Sequence, residues 1–312
     1  MYPEQTFTLA HLSDPHLADH QHIRFVDLFN KRFFGYMKWR LKRSAEHHLN
    51  VLGDLFDDIK AHQPDHIVIT GDLTHLGLPA EYAQVKDVLN SLGPPSQITV
   101  IPGNHDAYVA SALKGCVTHW RDYIVSDQTE FSHDDLISVD AFFPSLRVRG
   151  PLALIGVCTA RPCNTLLAVG SIGKNQLQRL RKLLIKTGQQ GLFRVVLIHH
   201  PPISGVVSWR KRLTDAKAFR TIVKQHGAEL ILHGHAHRYS HQQLKTPQGL
   251  APVIGISSAT AAVQDSQRRA RYHLYQLSRA TDKLEVRVTV RSYLDQEGCF
   301  GTEEEFVLPE CI

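Results

Sequence analysis

The chain has 312 residues, with 35 Lys and Arg against 30 Asp and Glu, for a formal net charge of +5. With 43% hydrophobic and 21% charged residues it has the composition of a folded globular protein, which argues against disorder. No apolar run reaches the length of about 18 residues that a membrane span needs, and the opening MYPEQTFTLAHLSD has no basic start or long apolar stretch, so no secretory signal is expected.

Strand-length apolar runs alternate with helical stretches along most of the chain. Phe7–Leu12 reads as a buried strand, Leu49–Ala61 as an amphipathic helix and His66–Thr70 as the next strand. Pro79–Leu92 is a helix with Pro at its first position and Gly93 beyond its end, followed by a strand at Gln97–Ile101. Strands at Leu152–Val157, Arg194–Ile198 and Glu229–Leu232 are separated by helices at Lys174–Lys186 and Thr214–His226. Val253–Ser257, Arg271–Leu277 and Leu284–Val290 then follow one another without helices and read as antiparallel strands. The pattern predicts a layered α/β fold with sheets covered by helices, organised as one domain over residues 1–312.

The net charge is local. Residues 23–48 carry seven basic residues against Asp27 and Glu46, enough to account for the whole excess, together with six aromatics. The remainder is neutral overall, which argues against nucleic acid as a partner. This basic-aromatic stretch reads as a cap inserted near the first polar cluster. It is either packed on the body of the fold, closed over an acidic and partly apolar ligand, or in peripheral contact with an anionic membrane. A second basic stretch, Trp209 to Arg212, follows His199-His200-Pro-Pro and can face the same cleft or lie as solvated surface. The five cysteines are odd in number and lack CxxC spacing, as expected of reduced thiols in a cytoplasmic protein, at most peripheral at the inner membrane face.

Polar clusters fall at the ends of the predicted strands: Asp14 and His16; Gly71-Asp72; Gly103-Asn104-His105-Asp106; His199-His200; and Gly234-His235-Ala236-His237. Folded sheets can carry them all to one edge. Carboxylate, imidazole and amide oxygen form a mixed N/O ligand set suited to Mn, Fe, Zn, Co or Ni, and the absence of Cys argues against a structural zinc site. There are too many ligands for one ion, whereas two ions about 3.5–4 Å apart and sharing a carboxylate would use them.

The ordered series D-x-H, G-D, G-N-H-D, H and G-H-x-H over residues 14–237 resembles the calcineurin-like metallophosphoesterase superfamily, and within it the bacterial phosphodiesterase-type branch. The resemblance implies an α-β-β-α sandwich of two mixed sheets and two divalent cations, with Mn or Fe favoured. It implies that Asp14, His16 and His237 bind one ion, that Asn104, His199 and His235 bind the other, and that Asp72 bridges them. His105 would stand over the phosphate as proton donor or charge stabiliser, with Asp106 orienting its ring. The implied activity is hydrolysis of a phosphodiester or pyrophosphate bond by a metal-bridging hydroxide. Substrates suggested are a cyclic nucleotide or, because Phe29 to Gly35 reads F-x-K-R-x-x-G, a lipid-linked nucleotide like UDP-2,3-diacylglucosamine. The alternatives are a metal-dependent nuclease and a non-catalytic binding module of the same fold. Among the other histidines, His200 is either packed or near the substrate, His233 is structural, His11 is a core group or backs the ligands, and His75 is expected at the surface. Gly71, Gly103 and Gly234 are expected to permit tight turns beside the metals.

Overall fold

The computed structural model describes residues 6–18, 32–33, 49–109, 112–127, 142–164, 167–263, 265–280 and 283–309. Most of the 23–48 insertion therefore lies outside the described residues.

The first half builds β1 (Phe7–Leu12), α1 (Leu49–His62), β2 (His66–Ile69), α2 (Pro79–Leu92), β3 (Ile98–Val100) and α3 (Ala112–Ile124). Then come β4 (Ser145–Arg149), β5 (Leu152–Val157), α4 (Lys174–Gln189), β6 (Phe193–Ile198), α5 (Ala216–His226) and β7 (Leu230–His233). The tail is all strand: β8 (Ser240–Thr246), β9 (Gly249–Gly255), β10 (Arg271–Ala280), β11 (Lys283–Leu294) and β12 (Cys299–Val307). They form two six-stranded sheets, ordered β12-β11-β10-β1-β2-β3 and β4-β5-β6-β7-β9-β8. In the first sheet β1, β2 and β3 run parallel and the strands from β10 onward are antiparallel. In the second, β5, β6, β7 and β9 run parallel between antiparallel edges. The expectation that the Val253 strand is antiparallel thus holds only toward β8; toward β7 it is parallel.

The layering follows from the two-residue period of the strands. In β5 and β6, Leu152, Leu154, Val195 and Leu197 join the core shared with Leu9, Leu12, Val68 and Val100 of the first sheet. Their alternates Ala153, Ile155, Val157, Val196 and Ile198 pack instead against Leu177, Leu180 and Leu184 of α4 and Phe219 and Val223 of α5. One face of each strand meets the other sheet and the opposite face meets helices, so these strands are buried on both sides and apolar apart from Arg194 near the start of β6.

Arg147 on β4 ties the two halves. Its guanidinium donates to the carbonyls of Val125, Pro95, Ile98 and Asp122, reaching α3 and β3 from the edge of the second sheet. Burial, with Arg149 nearby, lowers its pKa to about 10. At the foot of the second sheet the Arg194 side chain is paired with Glu229 and also donates to the Leu184 and His226 carbonyls. With β1–β3 parallel in one sheet and β5–β7 parallel in the other, the loops after β1, β2, β3, β6 and β7 all leave from carboxyl ends. These five loops carry the five polar clusters.

Candidate metal centre

The loops are laced together by main-chain bonds before any side chain acts. The Asp14, His16 and Leu17 amides donate to the Gly71, Asp72 and Leu73 carbonyls, so the parallel pairing of β1 and β2 continues past the strand ends. From the far side, Ser258 Oγ donates to the Asp14 carbonyl at 2.6 Å and Thr260 Oγ1 to the Pro15 carbonyl at 3.1 Å. Asp14, His16, Asp72, His235 and His237 all have positive φ, between 47° and 66°. Among the described residues one other non-glycine, Gln63, shares that conformation. Left-handed backbone costs L-residues free energy and persists where surrounding bonds overdetermine it, a pattern that clusters at functional sites.

The two buried aspartates are used alike. Asp14 Oδ2 accepts from Ser13 Oγ at 2.6 Å and the His235 amide at 3.0 Å, while Oδ1 has no hydrogen-bond partner. That bare oxygen lies 3.2 Å from His237 Nε2 and 3.8 Å from His16 Nε2. Asp72 Oδ1 accepts from the His105 amide at 2.7 Å, and Oδ2 lies 3.4 Å from His199 Nε2 and 3.9 Å from His16 Nε2. Each carboxylate therefore spends one oxygen on a neighbouring loop and turns the other toward imidazoles. Glycines allow this closeness: a Cβ on Gly103 would collide with the Asp72 carboxylate, and one on Gly234 with Ser13 and Asp14.

Two ligand groups result. Asp14, His16, Asp72 and His237 place ligand atoms within 4.8 Å of one another, and so do Asp72, His199 and His235. Asp72 belongs to both. Asn104 joins the second group, with Oδ1 3.2 Å from His199 Nε2. The imidazoles are aimed by main-chain acceptors: His199 Nδ1 donates to the Thr70 carbonyl at 2.7 Å, and His235 Nε2 to the Lys211 carbonyl at 3.0 Å. Each such bond fixes the tautomer and leaves the other ring nitrogen as the lone-pair donor. All seven residues singled out as ligands in the sequence are thus brought together.

The electrostatics call for positive charge. Burial would raise both carboxylates, yet imidazoles outweigh it: His199, His105 and His16 hold Asp72 well below its ordinary range, and His237 and His199 lower Asp14. Burial likewise opposes charge on His199, but Asp72 and Asp14 raise it to about 9. Two acids this deeply buried need compensating cations. An unpartnered carboxylate oxygen beside converging imidazole nitrogens fits divalent metal ions of the borderline N/O-preferring kind.

The expectation that Asp106 orients the His105 ring does not match the geometry. His105 Nδ1 donates to the His75 carbonyl at 2.6 Å, so a main-chain oxygen orients the ring. The Asp106 carboxylate accepts instead from the Leu73, Thr74 and Gly103 amides and Thr74 Oγ1. Asp106 thereby braces the loop after β2 against the loop after β3, and a group this committed has no geometry left for the ring. Burial first, then Asp72, raises it to about 7.

His75 is not at the surface: it is 4% exposed, and its ligand nitrogen lies within 4.8 Å of those of His16 and His105. The loop that bears it is clamped from behind. Glu81 Oε2 accepts from the Leu76 and Leu78 amides, and Arg32 of the insertion donates to the Leu76 and Gly77 carbonyls. His200 is packed: Nε2 donates to the Ala168 carbonyl, Nδ1 meets Thr159 Oγ1 at 2.7 Å, and burial with His199 holds the ring neutral, at about 3. His11 and His233 are fully buried behind the ligands. The supporting groups Ser258, Thr260 and Glu81 carry no local sequence signal beyond polar side chains in otherwise apolar surroundings.

Two helix-flanked mixed sheets with buried acid-imidazole groups on their shared edge define a metallophosphoesterase. The sequence profile of the calcineurin-like phosphoesterase family matches residues 7–239, and the chain belongs to that family. It is 24% identical to a probable cyclic nucleotide phosphodiesterase of Rhodococcus erythropolis, over 71% of this chain and 70% of the relative. It is also 24% identical to a cAMP/cGMP dual specificity phosphodiesterase of Mycobacterium tuberculosis, over 85% of this chain and 70% of the relative. A dimetal phosphatase from Danio rerio shares the fold, with a TM-score of 0.56 at 12% identity over 96% of this chain and 98% of that one. The protein is a metal-dependent phosphoesterase that falls with the bacterial phosphodiesterase-type members of the family. Among the described residues no helix is long and apolar enough to cross a membrane.

Proposed function

We propose that the protein is a dinuclear metal-dependent phosphodiesterase acting on a nucleotide, with a cyclic nucleotide as the favoured substrate. The observation that carries the two-ion reading is the membership of Asp72 in both ligand groups. Asp14, His16 and His237 would hold one ion and Asn104, His199 and His235 the other, with Asp72 shared. Bound there, two divalent cations supply Lewis-acid polarisation of the phosphoryl group and activation of an attacking water.

The chain's own groups do the rest. Asp14, His16, Asp72, His199 and His235 are preorganised by main-chain bonds, so little reorganisation of them accompanies binding. His105, aimed by the His75 carbonyl, presents Nε2 as the ring atom that exchanges a proton with the leaving oxygen. Asp106 keeps the loops carrying Asp72 and His105 at fixed separation. The nucleotide assignment is supported by the names of the two bacterial relatives. The lipid-linked alternative rests on the 23–48 insertion, of which Arg32 and Phe33 alone are described.

The test is metal analysis beside hydrolysis of cyclic AMP and bis(p-nitrophenyl) phosphate. Two metal ions per chain, activity abolished by chelation and restored by Mn²⁺ are expected. Full activity with one ion per chain would sink the dinuclear reading, and hydrolysis of the aryl diester without any nucleotide would sink the substrate.

A further inference from the structure

The loop after β6 contains a feature that metal binding and hydrolysis leave unexplained. Trp209 is 62% exposed, the most exposed large hydrophobic side chain among the described residues. A single exposed aromatic is ordinary on a protein surface, but this one is distinguished by where and how it is held. It opens a 3₁₀ turn, Trp209–Lys211, whose Lys211 carbonyl accepts the Nε2–H of His235 at 3.0 Å. Trp209 thus stands two residues from the acceptor that orients a candidate metal ligand, its Cα within about 8 Å of that of Lys211.

The turn is rigid. The Ala168 amide donates to the Arg210 carbonyl at 2.9 Å and the Gly170 amide to the Arg212 carbonyl at 3.1 Å. Thr214 answers with amide and hydroxyl bonds to the Gly170 carbonyl, and Arg212 Nη1 closes the turn on the Trp209 carbonyl at 2.6 Å. The chemistry is that of an anion-bearing aromatic ligand. The Arg210 and Arg212 guanidinium carbons lie 5.4 and 5.9 Å from the Trp209 ring centroid. Arg210 and Arg212 put two cations beside one indole, and Lys211 stands between them in the sequence. Asp215, the next acid along the chain, is committed to Ser171, Ile172 and Gly173.

We propose that Trp209, flanked by Arg210 and Arg212, is a stacking platform for the base of a nucleotide whose phosphate sits at the metal centre. Every nucleobase has a π-face that stacks on an aromatic ring, and guanidinium groups add cation–π attraction and phosphate contacts. The platform makes this turn the element that separates nucleotides from base-free diesters. The proposal rests on the nucleotide phosphodiesterase reading above and adds the group that recognises the base.

The test compares equilibrium binding of 5′-AMP and of inorganic phosphate to the metal-loaded protein, for the wild type, Trp209→Ala and Trp209→Phe. Wild type is expected to bind 5′-AMP more tightly than phosphate. In Trp209→Ala the 5′-AMP affinity should fall about ten-fold or more, with phosphate affinity unchanged, and Trp209→Phe should recover most of it. In turnover of cyclic AMP the Ala variant should raise KM and leave kcat within about two-fold. If wild type prefers 5′-AMP and Trp209→Ala keeps the full preference, the platform is overturned and the nucleotide reading stands. If wild type binds 5′-AMP no better than phosphate, the nucleotide reading itself fails.

Discussion

The His105 main-chain amide donates to Asp72 Oδ1 at 2.7 Å, so the carboxylate shared by both ligand groups also positions the residue proposed to handle the leaving group. Asp72→Asn keeps an oxygen for that bond but removes the charge. The variant should fold, as judged by its circular dichroism, hold fewer than two metal ions per chain and lose hydrolysis. Two retained ions in the Asn variant would show that Asp72 is not shared between them.

Removing the His105 ring tests the opposite combination. His105→Ala leaves every proposed ligand in place, so two metal ions should remain. Loss of a proton donor at the leaving oxygen should lower kcat by about 10²- to 10⁴-fold. A kcat within two-fold of wild type would take His105 out of the chemistry.

Arg147 predicts a large effect far from the centre. Its guanidinium serves four carbonyls of α3, β3 and the segments beside them. Arg147→Met would leave one buried acceptor, the Ile98 carbonyl, and three part-buried ones without donors, at about 1–3 kcal/mol for each one that water cannot reach. Urea unfolding should show a loss of about 1–3 kcal/mol, with metal content unchanged in the protein that remains folded. A loss below about 1 kcal/mol would mean that water replaces the guanidinium.

His66 gives a pH dependence with a defined sign. Burial, reinforced by Arg149 and Arg147, lowers its folded pKa from 6.5 to about 3, and its Nε2 meets Thr99 Oγ1 at 2.7 Å. The unfolded chain takes up the proton near pH 6.5 and the folded chain only near pH 3. The contribution of neutral His66 is therefore complete above about pH 6.5 and is lost progressively as the pH falls toward 3. His66→Gln should flatten the decline of the urea midpoint between pH 6.5 and 5. Parallel declines in variant and wild type would show that His66 is protonated equally in both states.

Much of this organisation can be read without coordinates, for identifiable reasons. The Pro79–Leu92 helix and the Leu152–Val157 strand have the boundaries expected, because the first carries its own stop and start residues and the second is apolar along its length. The elements that escaped are those whose sequence answers to a distant partner. β4 (SLRVR), β8 (SHQQLKT) and β12 (CFGTEEEFV) are edge strands, where charge and polarity guard an open side and erase the apolar signal. α3 is hidden by Gly115, a poor helix former required there because a Cβ would collide with the Tyr82 ring. In the centre the ligands are legible because donor chemistry is local to each side chain. The bracing by Asp106, the His75 carbonyl and Ser258 is not, since it depends on which loops the two sheets bring side by side.

Asp14 is contributed by the first sheet and His199, His235 and His237 by the second, more than 180 residues further along the chain. Neither sheet alone owns either of the two groups that share Asp72, so neither can be completed while the polypeptide is half assembled. Metal uptake at those two groups would then act as an inspector of finished molecules: a chain stalled with one sheet formed would leave them incomplete, and the completed sandwich would gain the extra stability that ion binding confers. During refolding, acquisition of metal should therefore lag behind the appearance of secondary structure and coincide with the docking of the sheets.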